Sequence, residues 1–372
     1  MVGTLKIDRG IPGRLDGAGA SARAHEEAGY DGCWTGEINH DPFLSMLLAA
    51  EYTTSIELGT SIAVAFARTP MTVAQSAWDL QSYSRGRFIL GLGTQIQPHI
   101  EKRFSMPWSH PVRRMAEFIA ALREIWRCWH TGDRLSFSGE FYTHKLMTPM
   151  FTPEPSDFPD PKVFVAAVGE AMTEMCGRTA DGLLVHAFTT RRYLDEVTIP
   201  ALQRGLARES RDRADIEVSS PVFVVTGRDE DEMSTSAAAF RKQIAFYAST
   251  PAYRRVLDLH GWGELQPELR RLSIEGEWDA MSALIDDEIL GAFAVMAPLD
   301  QVAAALAKRC AGVIDRVLPG FPAGTPEPVI ATVLDEVRTA RRLFLDFDAT
   351  ARRAYAERVE AATGVLDEAQ QT

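Results

Sequence analysis

Arg87-Phe88-Ile89-Leu90-Gly91-Leu92-Gly93-Thr94 is a short apolar run that ends at two closely spaced glycines, and it is the fourth of its kind along the chain. Short apolar or β-branched runs between turn residues read as buried strands. The three before it begin near Thr4, Gly32 and Ile56, and four more begin near Lys162, Gly182, Glu217 and Ile314. The first four starts lie 28, 24 and 31 residues apart, room for one strand, one helix and two short loops each time. Eight strands alternating with helices predict an α/β fold, a (β/α)8 TIM barrel with parallel strands.

The helical segments carry their own signals. Asp41-Pro42 before Phe43 to Tyr52 and Thr69-Pro70 before Met71 to Tyr83 each supply an N-cap and a proline at the first helical position. Between Pro111 and His130, residues Met115, Phe118, Ile119, Leu122, Ile125, Trp126 and Trp129 recur at three and four and predict one buried stripe. Thr131 to Pro161 holds Gly139, Pro149, Pro153, Pro155, Pro159 and Pro161 and predicts a hairpin followed by an irregular crossing. The expected organisation is a single barrel domain over 1–345, with a helical insertion at about 228–288 that could cover a substrate pocket, and a C-terminal helical tail over 346–372.

Composition narrows the function. The chain has 372 residues, 46% hydrophobic and 24% charged, enough apolar matter for a folded core. Its net charge of −12 repels phosphate backbones and anionic headgroups, so neither nucleic acid nor a membrane surface is an expected partner. The longest uncharged apolar run, Ile289 to Ala297, is too short to span a bilayer. Lys6, Asp8 and Arg9 interrupt the first segment, which does not read as an export signal. Cys33, Cys128, Cys176 and Cys310 form no Cys-x-x-Cys pair, and a reducing, cytoplasmic setting is expected.

In such barrels the reactive groups stand at the carboxyl ends of strands. Trp34-Thr35-Gly36-Glu37 closes the second strand, with Asn39 and His40 beyond it, and Arg68 follows the third. Gln95 and His99 follow the fourth, Gly169 the fifth, and His186 ends the sixth. A carboxylate at the end of a buried strand is costly unless it is used, which singles out Glu37; the plainer alternative is a salt bridge to Arg68. His40 and His99 could exchange protons near neutral pH or be hydrogen-bonded structural residues. The small residues Gly93, Ala166, Ala167 and Gly169 either pack tightly or leave room for a planar ring or a phosphate to approach backbone amides.

Two other chemistries are disfavoured. Gly91-Leu92-Gly93 lacks the third glycine of a dinucleotide fingerprint. A metal-dependent hydrolase could enlist Glu37, His40, His99 and His186, but the first strand reads Lys6-Ile7-Asp8-Arg9-Gly10 and lacks the His-x-His pair such enzymes use, so no metal is expected.

Taken together, Gly29-Tyr30-Asp31-Gly32 into Trp34-Thr35-Gly36-Glu37, Gly59-Thr60-Ser61-Ile62, Ser84-Arg85-Gly86-Arg87-Phe88 into Gly91-Leu92-Gly93, Val165-Ala166-Ala167-Val168-Gly169 and Ala180-Asp181-Gly182 resemble the bacterial luciferase-like superfamily. Within it the chain is most similar to oxidoreductases that use the deazaflavin coenzyme F420, over residues 4 to about 345. The resemblance implies a cofactor lying across the carboxyl ends of the strands. It implies a non-prolyl cis peptide at Ser61-Ile62 supporting one face of the ring, with Gly93, Thr94, Gln95 and His99 flanking the cofactor. Ala166, Ala167 and Gly169 would meet its phosphate-bearing tail through backbone amides. Thr94-Gln95 stands where luciferases and related flavin monooxygenases carry an Arg, which favours F420 over FMN. Ile38 follows Glu37 where F420-dependent sugar-phosphate dehydrogenases have an acid-His pair, and Val168-Gly169-Glu170 replaces the Gly-Gly-Pro of many relatives.

The activity this implies is hydride transfer between F420 and a small-molecule organic substrate, with Glu37, then His99, then His40 as the proton-transferring group. An oxygen-consuming FMN monooxygenase is the second enzyme reading, and a non-catalytic F420 carrier the alternative from another class. A homodimer through outer helices, including the apolar segment Phe43 to Ala50, is also expected.

Overall fold

The computed structural model describes residues 5–322, 325 and 327–339; the expected tail over 346–372 and the end of the barrel domain at 340–345 lie outside the described residues. Each expected strand is present and starts within two residues of its expected position. They are β1 (Lys6–Gly10), β2 (Gly32–Thr35), β3 (Glu57–Thr60), β4 (Phe88–Gly93), β5 (Lys162–Ala167), β6 (Gly182–Val185), β7 (Glu217–Val225) and β8 (Arg316–Gly320). The fold is a (β/α)8 barrel of parallel strands. The chain forms two compact units, one of Lys6–Val185 with Pro200–Ser219, the other of His186–Ile199 with the described residues from Ser220 onward.

In the first unit β1 to β6 and the start of β7 pair in sequence, with Asp8 opposite Gly32, Cys33 opposite Leu58, Leu58 opposite Phe88, Leu90 opposite Val163, and Leu183 opposite both Val165 and Val218. Two Asp-Gly steps perform the same task in this ladder. Asp31 accepts the Ile7 N–H and Asp181 the Val163 N–H, each at 2.8 Å, so the residue before β2 or β6 pins the start of its neighbour. At their amino ends β1, β3, β5 and β7 contribute Lys6, Glu57, Lys162 and Glu217. Lys6 Nζ lies 2.8 Å from Glu57 and 3.2 Å from Glu217, and Lys162 Nζ 2.6 Å from Glu217. Alternate strands thus supply one layer of alternating charge, in keeping with the layered interior of such barrels.

The helices begin where their caps say. α1 (Leu15–Glu27) precedes α2 (Pro42–Tyr52), where Asp41 accepts the Phe43 N–H at 2.8 Å, and α3 (Pro70–Tyr83), where Thr69 accepts the Thr72 N–H at 3.3 Å. A short α4 (Gln97–Lys102) precedes α5 (Pro111–Thr131), whose whole predicted stripe from Met115 to Trp129 is buried. The predicted hairpin forms from Phe137–Ser138 and Thr143–His144. After β5 and β6 come α6 (Glu170–Thr179) and α7 (Ile199–Arg208).

One irregularity interrupts the ladder. β3 pairs with β4 at Leu58 with Phe88 and Gly59 with Ile89, and the short strand Ala63–Val64 resumes at Ala63 with Leu92 and Val64 with Gly93. Four steps on one side face three on the other, so one residue is extra, and the chain forms a β-bulge. Thr60 restores the missing hydrogen bonds with its side chain: Oγ1 donates to the Gly91 carbonyl at 2.8 Å and accepts the Gly91 N–H at 2.9 Å. A Cβ on Gly91 would lie 1.7 Å from the Thr60 carbonyl oxygen, so this crossing tolerates only glycine. The Ser61-Ile62 peptide within the bulge is cis, at the place implied by the resemblance.

In the second unit the end of β7 pairs with the short parallel strand Ala294–Met296. The expected insertion is helical, built from α8 (Glu230–Ala248) and the shorter helices Arg254–Leu259, Leu265–Glu275, Trp278–Ala283 and Asp287–Phe293. Its Phe240, Ile244, Leu257, Leu269, Met281, Leu290 and Phe293 are buried in one core together with Phe188, Tyr193, Phe223 and Val225 of the same unit.

Thr60→Val keeps the shape but leaves both polar groups of buried Gly91 without this partner. We expect a loss of about 1–3 kcal/mol in urea unfolding; wild-type stability in this variant would contradict the role given to the hydroxyl.

Candidate active site

The carboxyl ends of β2, β3, β4 and β5 in the first unit bring most of the predicted site residues together. β2 runs alongside the bulge, with Ser61 N–H donating to the Thr35 carbonyl at 2.7 Å and Glu37 N–H to the Ile62 carbonyl at 2.9 Å. Glu37 then turns its carboxylate inward. Oε2 accepts the Val64 N–H at 2.8 Å and Arg68 Nη1 at 2.6 Å, and its side chain is 7% exposed. The Arg68 fork also reaches Asp41 with Nη2 at 2.8 Å, and its guanidinium lies over the Phe43 ring. The plainer sequence alternative for Glu37 is therefore the contact that the structure contains. A buried carboxylate matched by a guanidinium and a backbone donor is satisfied as it stands, and it fastens β2 to the strand following the bulge.

Ile62 and Gly93 meet directly: a Cβ on Gly93 would lie 2.9 Å from Ile62 Cδ1, so the bare glycine lets the bulge side chain lie over the end of β4. Thr94 is half-buried, and Gln95 takes a left-handed conformation with φ 60°, uncommon for a residue with a side chain. Two isoleucines, Ile38 and Ile96, stand exposed on this rim at 76% and 53%. Arg103 at the end of α4 donates to the Ile38 carbonyl. His99 on α4 and His40 are both exposed, and His40 lies beside Gly13. Among the described residues no hydrogen bond joins Glu37 to either histidine.

Beyond β5 the chain passes from Ala166 and Ala167 into α6, and Gly169 is its N-cap without a side-chain cap. The Gly169 carbonyl accepts the Met172 and Thr173 N–H groups, while the first amides of the helix have no partner inside it. Such an end is suited to an anion. Glu170, the awkward substitution in this segment, is drawn aside by Arg204 of α7, which donates to its carboxylate at 2.8 Å. An amide cradle beside a shallow apolar rim fits a flat ring with an anionic tail.

His186 follows β6 and belongs to the second unit. Its Nδ1 accepts the Phe188 N–H at 3.0 Å and its Nε2 lies 3.1 Å from the Tyr253 hydroxyl. Burial pushes the imidazole down to about 4. Its position was visible in the sequence, but Tyr253 was not: it is 67 residues away on a turn with no motif. Among the described residues no group of three or more His, Cys, Asp or Glu gathers as a metal site, and no helix is long and apolar enough to cross a membrane.

The parallel barrel agrees with the comparisons with known proteins. Residues 4–316 match the luciferase-like monooxygenase model, and the chain belongs to that family. An uncharacterised protein of Mycobacterium tuberculosis is 63% identical over 331 residues, covering 89% of this chain and 97% of that protein. The 5,10-methylenetetrahydromethanopterin reductase of Methanolobus tindarius is 25% identical and covers 82% of this chain and 89% of its own. Among solved structures, the coenzyme F420 dependent tetrahydromethanopterin reductase of Methanopyrus kandleri superposes with a TM-score of 0.74 at 19% identity, covering 90% of this chain and 99% of that one.

The His186 geometry makes stability depend on acid. The unfolded imidazole takes up its proton at the ordinary 6.5 and the folded one only near 4, so the unfolded state binds more protons between these values. The melting temperature should fall as the pH is lowered from 6.5 to 4, and His186→Gln should flatten that slope; an unchanged slope would contradict the assignment.

Proposed function

We propose that the chain is an F420-dependent oxidoreductase that moves a hydride between the deazaflavin and a small organic substrate. The observation that carries this reading is the rim of the first unit, where Ile62 on the bulge lies over Gly93 and the uncapped amide end of α6 follows Ala167. The names of the reductases that the chain resembles support it. When bound, the cofactor supplies the hydride chemistry. The protein supplies the seat: Ser61 and Ile62 support the ring, Gly93, Thr94 and Gln95 border it, and the amides following Ala166, Ala167 and Gly169 hold the anionic tail. Glu37 is a positioning residue that keeps the bulge in place through Val64 and Arg68. Proton exchange then falls to His99 and after it to His40, both open to solvent on the strand-end loops.

Titration of the protein into F420 should quench its fluorescence to saturation, and FMN should bind more weakly. Saturable FMN binding with none for F420 would overturn the cofactor and favour the monooxygenase reading. Gly169→Asp separates binding from folding. Aspartate is a good N-cap, so the melting temperature should hold or rise, while its charge beside the anionic tail should weaken F420 binding at least about tenfold. Unchanged affinity would remove the tail from α6.

We further propose that two copies of the chain pair through α2 and α3. Leu44, Leu47 and Tyr83 are exposed there beside a groove of about 690 Å3 lined also by Phe43 and Leu80. Sedimentation should give a dimer that Leu44→Glu with Leu47→Glu converts to a folded monomer. A monomeric wild type at micromolar concentration would refute the pairing.

A further inference from the structure

The second unit holds a group of half-buried aromatic side chains around His186 that the cofactor seat does not use. Tyr253 stacks on the imidazole at 4.5 Å between centroids and 24° between planes, and Tyr247 meets the same ring edge-on at 5.0 Å. Phe188, fully buried, lies behind them at 5.6 Å from Tyr253 and stacks in turn on Phe293. Tyr253 sits on the turn Pro251–Tyr253 that follows α8, and its hydroxyl reaches back to the residue after β6.

The hydrogen bonds of this group have a direction. A backbone N–H can only donate, so the bond from Phe188 makes His186 Nδ1 an acceptor, and in the neutral ring the proton is on Nε2. Nε2–H therefore donates to the Tyr253 hydroxyl oxygen, which keeps its own hydrogen. Among the described residues nothing accepts that hydrogen. Burial holds the Tyr253 phenol up at about 12 and the imidazole down at about 4, so both stay neutral through the physiological range and the donor persists. A partly exposed phenol whose oxygen already accepts from an imidazole, set among aromatic faces, can offer its hydrogen to a ligand oxygen.

We propose that Tyr253, aligned by His186 and flanked by Tyr247, is the recognition site for a planar small molecule bearing a hydrogen-bond acceptor oxygen, a carbonyl compound above all. Tyr253 gives the directional contact, the aromatic faces give stacking, and His186 is the positioning residue. It goes beyond the oxidoreductase reading: His186, Tyr247 and Tyr253 all belong to the second unit, and the binding stands on that unit's geometry alone. The binding itself is measured without cofactor, so failure of F420 to bind would leave it standing and failure of this site would leave F420 binding untouched.

The test uses two probes of the same shape on the full chain, acetophenone and α-methylstyrene, which differ in C=O against C=CH2. Calorimetric titration should show acetophenone binding about fivefold to tenfold more tightly, the value of one good neutral hydrogen bond, and Tyr253→Phe should abolish the preference while leaving α-methylstyrene unchanged. In the wild type, acetophenone should shift the His186 Nε2–H nitrogen resonance and α-methylstyrene should not, a readout that holds even if the variant fails to fold. Equal affinities, no binding of either probe, or a preference that survives in Tyr253→Phe would each overturn the proposal.

Discussion

A single surplus residue between Gly59 and Ala63 organises the candidate site. A strand with one residue too many must leave the ladder and return to it, and the groups it abandons need other partners. Thr60 supplies them from its side chain, and Gly91 makes room by having none. Glu37 closes the arrangement from the other side, its backbone on Ile62 and its carboxylate on Val64 and Arg68. The bulge is thus held from β2, from β4 and from the residues that follow it. Such redundancy is what fixes a surface well enough to seat a rigid ring.

The two ends of the first unit differ accordingly. At the amino ends of the strands, Glu57, Lys6, Glu217 and Lys162 form a chain of alternating charges. These groups are a fifth to a half exposed, so each pair contributes little to stability. At the carboxyl ends small residues such as Gly93 and Ala167 stand beside the Glu37–Arg68–Asp41 pairs, Gln95 takes a left-handed conformation, and Ile38 and Ile96 are exposed. The ladder is regular at the amino ends, and the unit concentrates its departures from ideal geometry at the carboxyl ends, where chemistry is expected.

Much of this was legible in the sequence. Strand starts followed from short apolar runs, and the starts of α2 and α3 from Asp41-Pro42 and Thr69-Pro70, because these signals are local and each residue answers to its neighbours. The cis peptide at Ser61-Ile62 came from resemblance, not from residue properties. Contacts between distant positions were not legible. Nothing in the string says that Lys6 will meet Glu217, or that the Asp31 and Asp181 steps act alike until their partners are seen. For Glu37 the residue type allowed two roles, and only the place of Arg68 separated them. Tyr253 carried no signal, since a tyrosine on a turn of a helical insertion looks like any other until His186 is found against it.

The central claim is that the rim formed by Ile62, Gly93 and the amides at the start of α6 seats a deazaflavin. The most direct measurement is a crystal structure of the chain with F420. The account predicts ring density against Ile62 and Gly93 and a phosphate on the first amides of α6. A ring lying elsewhere, or a phosphate held away from that helix, would contradict it.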